Sequence, residues 1–273
     1  MIRHNPLTGD PILFAPGRAG RPRAFDHDAL ARCPFCPGHE SDTPPELTRS
    51  GDPWCVRVFP NKYPSVDGAE VIVESPRHDD TFDRLEHVED VVRMYLERYQ
   101  AHRDAAYTAI FKNEGARGGA SIPHVHSQVM PLPFTPPRIE RELKSFGGEC
   151  PLCAPEGHVI REGEAFQWIA PAGSSFAWQQ WLVPKRHVAE ISEFRDSEIG
   201  ELASLLRSAS RAMLNLGDSY NWMFMNFPRS PAAHCYVDLV PRLSAIAGFE
   251  LGTGTFVEII DPAAAARRLR ETE

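Results

Sequence analysis

Along this chain the hydrophobic pattern changes period in the same order twice. Apolar and β-branched runs at residues 54–59 and 71–73 predict strands, and so do those at 166–169 and 181–183. Each pair is followed by a stripe at three- and four-residue spacing, the mark of one buried helix face. The first stripe is Leu85, Val88, Val91, Val92, Tyr95, Leu96 and Tyr99. The second is Ile199, Leu202, Leu205, Leu206, Ala209, Met213 and Leu214. Both read as core packing. Each helix leads into another apolar strand ending in asparagine, at residues 109–113 and 222–226.

The punctuation repeats as well. Each half opens on a Cys-x-x-Cys turn, Cys33/Cys36 and then Cys150/Cys153. Each has a proline turn with a basic residue before His78 or His187. His78 and His124 are 46 apart, and His187 and His234 are 47 apart. Such agreement over two complex segments predicts a duplicated α+β unit, an antiparallel sheet with packed helices in each half. Pro131, Pro133, Pro136, Pro137, Gly147 and Gly148 interrupt regular structure between the copies, with a short helix expected at 138–146. The division is drawn as 1–135 and 136–273.

Composition narrows the class. A 42% hydrophobic and 24% charged chain is ordinary for a globular protein, and 25 prolines point to many loops and short strands. A net charge of −8 without a long basic run argues against nonspecific nucleic-acid binding. The first residues carry no apolar core of signal-peptide length, and no window is apolar enough to span a bilayer. The expected location is therefore cytoplasmic, with no membrane partner. Without a secretion signal, two Cys-x-x-Cys pairs favour metal or redox chemistry over structural disulfides. Cys55 and Cys235 are left as buried thiols.

The repeat supplies the same donor set twice: Cys33, Cys36, His78 and His124, then Cys150, Cys153, His187 and His234. Two thiolates and two imidazoles suit tetrahedral zinc, and four protein ligands make both sites structural. A thioredoxin-like redox reading needs a strand entering a helix at the motif, which neither pair has. The halves part company after the last ligand. His124 is followed by His126 and Gln128, whereas His234 is followed by Tyr236 and Asp238. If residues 121–129 form a strand, His124, His126 and Gln128 share one face. The second histidine is not required by the repeat, so it is the candidate nucleophile; a further metal ligand or a core histidine are the other readings. A neutral imidazole can attack phosphorus, with Gln128, Ser121 and the Gly118–Gly119 backbone available to phosphoryl oxygens.

His-x-His-x-Gln resembles the active strand of the histidine-triad superfamily, and within it the galactose-1-phosphate uridylyltransferase-like family. Residues 5–9, 18–22, 56–64, 111–115 and 247–254 resemble further segments of that family, so the resemblance spans nearly the whole chain. It implies a duplicated histidine-triad-like fold and makes His126 the nucleophile, with zinc at Cys33, Cys36, His78 and His124. It assigns Arg18, Arg21 and Asn113 to phosphates, Asn61 to the nucleotide, and Phe249 and Glu250 to the sugar. It implies a homodimer, with sites shared across subunits, of carbohydrate (galactose) metabolism. Its reaction moves a nucleoside monophosphate between a nucleotide sugar and a sugar 1-phosphate, of UDP-hexose:hexose-1-phosphate type. Val125 departs from the proline usual between the two histidines of uridylyl-transferring members. The second Cys₂His₂ set and the Gly-Phe-Glu-Leu-Gly-Thr-Gly segment are closer to ADP-glucose phosphorylase-type members, which implies an adenylyl alternative with inorganic phosphate as acceptor. A histidine-triad hydrolase and a non-catalytic zinc-stabilised nucleotide-binding protein are the remaining alternatives.

Overall fold

The computed structural model describes residues 1–20 and 32–272. β1 (Ile2–His4) and β2 (Pro11–Leu13) form a small separate hairpin. Among the described residues, ten further strands make one sheet, antiparallel throughout. The first half contributes β3 (Thr48–Ser50), β4 (Val56–Pro60), β5 (Glu70–Val73), β6 (Tyr107–Glu114) and β7 (His126–Leu132). The second contributes β8 (Gly157–Glu162), β9 (Phe166–Pro171), β10 (Gln180–Pro184), β11 (Tyr220–Met225) and β12 (Tyr236–Pro241). Their order is β3-β4-β5-β7-β6-β11-β12-β10-β9-β8, a palindrome of the two halves joined at β6 and β11.

The predicted stripes fold as helices on one face of this sheet. In α1 (Val88–Ala101) Val88, Val91, Val92, Tyr95 and Tyr99 are buried, while Leu85 is buried just ahead of the helix. In α3 (Asp196–Leu216), which follows the short α2 (Pro137–Leu143), the buried set includes Ile199, Leu202, Leu205, Leu206, Ala209 and Met213. Both helices share a core with Ile72, Ile110, Val129, Trp222, Phe224 and Leu239 of the sheet. Each fully buried side chain of this kind contributes about 1.5–3 kcal/mol. Pro137 at the first turn suits α2, whose span is shorter than expected; residues 144–146 finish as a 3-10 turn. α4 (Gly248–Thr253) and α5 (Pro262–Arg270) follow the sheet. The Asp261 carboxylate accepts the Ala264 N–H at 2.9 Å and so caps α5.

The sheet's other face carries two smaller apolar clusters at matching positions. One contains Phe35, Phe59, Val71 and Val73; the other contains Leu152, Ile169 and Val183, with Trp181 against it. The registers make the correspondence explicit. Val71 pairs with Gln128 as Trp181 pairs with Asp238, and Lys112 pairs with Ser127 as Phe224 pairs with Val237. They also correct one expectation. Met225 pairs with Tyr236, so Met225, not Asn226, corresponds to Asn113. The Asn226 side-chain oxygen instead accepts the Ile191 N–H at 2.9 Å.

Candidate active site and metal centres

The predicted strand at 121–129 begins later than expected, at His126. His124 sits in the approach to β7, and its Nε2 donates to the Ser75 carbonyl at 2.7 Å. That bond turns Nδ1 toward the cysteine turn, 3.6 Å from both Cys33 Sγ and Cys36 Sγ. His78 Nδ1 lies 3.5 Å from Cys36 Sγ. Among the described residues this is one of two such clusters, each with its four donor atoms within 4.8 Å of one another. In the other, His234 Nδ1 is 3.5 and 3.7 Å from Cys150 Sγ and Cys153 Sγ, and His187 Nδ1 is 3.2 Å from Cys153 Sγ. A tetrahedral ion with sulfur at about 2.3 Å and nitrogen at about 2.0–2.1 Å separates those donors by about 3.6 Å. The geometry therefore fits.

The outer contacts fit too. His234 Nε2 and His187 Nε2 donate to the Pro184 and Pro231 carbonyls at 2.8 and 3.1 Å, which turns Nδ1 of each ring toward the cysteines. Burial holds His124 below the ordinary imidazole range and His234 down at about 4, so both rings are neutral. Burial, with Cys36 beside it, pushes the Cys33 thiol up to about 11. A cation in the cluster supplies what a thiolate there lacks.

His126 takes a different direction. Its Nδ1 donates to the His124 carbonyl at 2.8 Å, which in the neutral ring assigns the lone pair to Nε2. The ring is buried and packs edge-on against Phe35, 5.3 Å between centroids. With Gln128, two residues on, it lines a cavity of about 380 Å³ over the sheet. Ser121 and Asn61 line the same cavity, so four predicted residues meet there. Arg18 stands behind the wall, donating to the Tyr63 carbonyl at 3.1 Å. Arg21 lies outside the described residues.

Other predicted residues are elsewhere. Asn113 is not in the cavity wall; it accepts from Asn221 Nδ2 at 2.8 Å, on the neighbouring strand β11. Phe249 and Glu250 lie on exposed α4, and this chain does not bring them to the cavity. The Gly118–Gly119 backbone serves its own turn: the Gly119 N–H donates to Ala116, and a Cβ on Gly118 would collide with the Glu114 carbonyl. Cys55 is half-buried rather than buried, with its thiol on the Ser50 carbonyl.

The cavity also holds residues that the sequence pattern did not single out. Lys62 and Tyr63 follow Asn61, and Arg32 precedes the first cysteine and is paired with Asp42 at 2.7 Å. Phe35 and Phe59 form an aromatic wall. A cation next to a metal turn is a weak signal, whereas Lys62 stood inside a segment already marked. The matching cavity of the second half is about 640 Å³ and is lined by Tyr236 and Asp238. There Asp238 accepts from Gln179, Trp181 and Arg138 at 2.7, 3.2 and 2.7 Å, and Tyr236 donates to Glu142 at 3.1 Å.

A palindromic antiparallel sheet with one Cys₂His₂ cluster per half, and one half alone carrying His-x-His-x-Gln, defines a duplicated histidine-triad-like protein. Residues 58–136 match the model of the galactose-1-phosphate uridyl transferase N-terminal domain. The chain is 31% identical to ADP-glucose phosphorylase of Arabidopsis thaliana, across 99% of this chain and 92% of that protein. It is 28% identical to the galactose-1-phosphate uridylyltransferase of Thermotoga maritima, across 100% and 98%. The crystal structure of the Arabidopsis phosphorylase with bound ADP-glucose superposes with a TM-score of 0.83 at 29% identity, over 100% of this chain and 98% of that one. The chain belongs to the galactose-1-phosphate uridylyltransferase-like family.

Proposed function

We propose that this protein is a nucleotidyltransferase working by double displacement through His126. The observation that carries this is a buried imidazole tied at Nδ1 to the His124 carbonyl and lining a cavity with Gln128. His126 Nε2 attacks the α-phosphorus of a nucleoside diphosphate sugar. An N–P bond forms, the bridging P–O bond breaks, and the sugar 1-phosphate leaves with the electron pair. An oxygen of the second phosphate then attacks phosphorus, and the imidazole recovers its lone pair. Gln128 and Ser121 donate to the phosphoryl oxygens, while Arg18 and Arg21 bear on the phosphate charge; Asn113, bonded to Asn221 outside the cavity wall, supports the neighbouring strands instead. Asn61, between Phe59 and Tyr63, serves the nucleoside.

The donor is read as a UDP-hexose with a hexose 1-phosphate acceptor. A second reading, adenylyl transfer with inorganic phosphate as acceptor, is favoured by the 31% identity to an ADP-glucose phosphorylase over almost the full chain. Incubation with α-labelled UDP- and ADP-sugars tests both. An acid-labile protein label from one donor, discharged by its acceptor, is expected. No label from any donor in metal-replete protein would overturn the mechanism.

Zinc is the ion we assign to both Cys₂His₂ clusters; when bound it supplies a fixed tie between the cysteine turn and the sheet. We divide the labour at residue 135: residues 1–135 do the chemistry, and residues 136–273 supply a structural metal and the sugar-site segment. Phe249 and Glu250 then serve the cavity of a second copy in a homodimer. Phe249, Leu251, Val257 and Ile259, exposed near the C-terminus, support such an interface. Among the described residues no helix is long and apolar enough to cross a membrane.

A further inference from the structure

Behind the reactive strand, on the helix-covered face, lies a buried ion pair. Lys112 Nζ, on β6, is 2.6 Å from Glu74 Oε2 at the end of β5, and both side chains are fully buried. The same ammonium donates to the His126 carbonyl at 3.0 Å. The other Glu74 oxygen accepts from the hydroxyls of Ser127 and Tyr95. The Glu74 N–H donates to the Val125 carbonyl at 3.2 Å. Val125, His126 and Ser127 are thus each held by Glu74 or Lys112, the first through a main-chain bond and the other two through the buried side chains.

The second half has none of this. By strand register Lys112 corresponds to Phe224 and Ser127 to Val237, while Val73 corresponds to Val183, so Glu74 falls at Pro184. The same sheet position therefore closes with apolar packing where no histidine reacts. Burying two charges is expensive, and well-packed apolar residues in their stead are often neutral or stabilising. The fold does not require the pair, yet it stands behind His126.

Resting on the nucleotidyl-histidine reading, we propose that Glu74 and Lys112 are positioning residues that fix the backbone of His126 for in-line attack. The His126 ring is tied by Nδ1 to the backbone just ahead of its own strand, at the His124 carbonyl, so a shift of residues 124–127 moves Nε2 with it. The buried pair resists that shift as phosphorus is transferred to and from the ring.

The test separates positioning from stability. Glu74→Leu/Lys112→Met together restore an apolar pair of the kind that the second half uses. The expected result is a folded protein with both metals retained, an unchanged KM for the donor, and single-turnover labelling slowed about 10- to 100-fold. Should that variant not fold, Ser127→Ala removes one tie without stranding a charge, and a several-fold slower kcat with unchanged KM is expected. A folded double variant labelling at the wild-type rate overturns the proposal, as does an unchanged kcat in Ser127→Ala. Wild-type protein that takes no label from any donor defeats the nucleotidyl reading itself; a label formed equally fast in wild type and variant defeats only the positioning role.

Discussion

The two cavities of this molecule are built on one plan and put to opposite ends. In the first half, His126 and Gln128 lie over Phe35, Phe59 and Val71. In the second, Tyr236 and Asp238 take those places over Leu152, Ile169 and Trp181, and their polar groups bond to Arg138, Glu142, Gln179 and Trp181. Behind the sheet the contrast inverts: charges lie beneath His126 and an apolar core beneath Tyr236. A closed network of neighbours spends its hydrogen bonds on the fold. The first cavity has the His126 imidazole and the Gln128 amide on its wall, and its buried Glu74–Lys112 ion pair lies on the far face. The Cys₂His₂ cluster is common to both halves, so it belongs to the scaffold.

Breaking that comparison is straightforward at its sharpest point. His126→Ala should abolish covalent labelling, a loss of roughly 10⁴-fold or more in turnover, the scale associated with a missing nucleophile. Tyr236→Phe, its counterpart, should label at the wild-type rate. Equal loss in the two variants, read by gel autoradiography of α-labelled donor, would erase the functional asymmetry. The metal clusters come next. Cys33→Ser and Cys150→Ser should each release one of two zinc ions per chain, measured by plasma mass spectrometry, and lower thermal stability markedly. Only Cys33→Ser should also slow labelling, because His124 carries both a metal-facing nitrogen and the carbonyl that orients His126. Gln128→Ala should follow with about a 10²-fold fall in kcat, the usual effect of losing one donor to a developing oxyanion. Stopped-flow single-turnover rates decide whether the loss sits in kcat, as expected, or in KM.

Much of this was legible from residues alone, because spacing and chemistry repeat. The stripes of α1 and α3 announced buried faces, and the cysteine turns announced the clusters. What escaped was set by partners distant in sequence. The displacement between Asn113 and Asn226 is a matter of register, which a shared pattern of apolar runs does not fix. His124 left the strand because a turn carbonyl, Ser75, and two sulfurs hold its ring. The Glu74–Lys112 pair was hidden inside runs that read as apolar strands, since one charged residue in a strand looks solvent-facing until a second meets it. Arg32 and Lys62 reach the cavity through loops, where side-chain direction has no period to follow.

The comparison also predicts where acid first loosens the molecule. Glu70 on β5 accepts from Arg98 at 2.8 Å through both oxygens, and from His102 at 2.8 Å. Burial raises its carboxyl, but the bonds from His102 and Arg98 outweigh burial and hold it below the usual carboxylate range. Its counterpart in register is Gln180, which accepts from Trp168 at 2.9 Å and carries no charge. A folded pKa below the unfolded one means that the stabilisation is complete above the unfolded value and is lost as pH falls through the folded one. The window therefore opens near pH 4.5 and extends downward. Hydrogen exchange in that range should show β5 and β7 losing protection before β10 and β12. Glu70→Gln should cost about 1–3 kcal/mol at pH 7 by urea unfolding and flatten the acid dependence. Acid loosening that begins in the second half, or survives unchanged in Glu70→Gln, would move the sensitivity away from this pair. Gln180→Glu, which places an acid without a cation at the matching site, should destabilise more at pH 7 than at pH 4 and so reverse the sign.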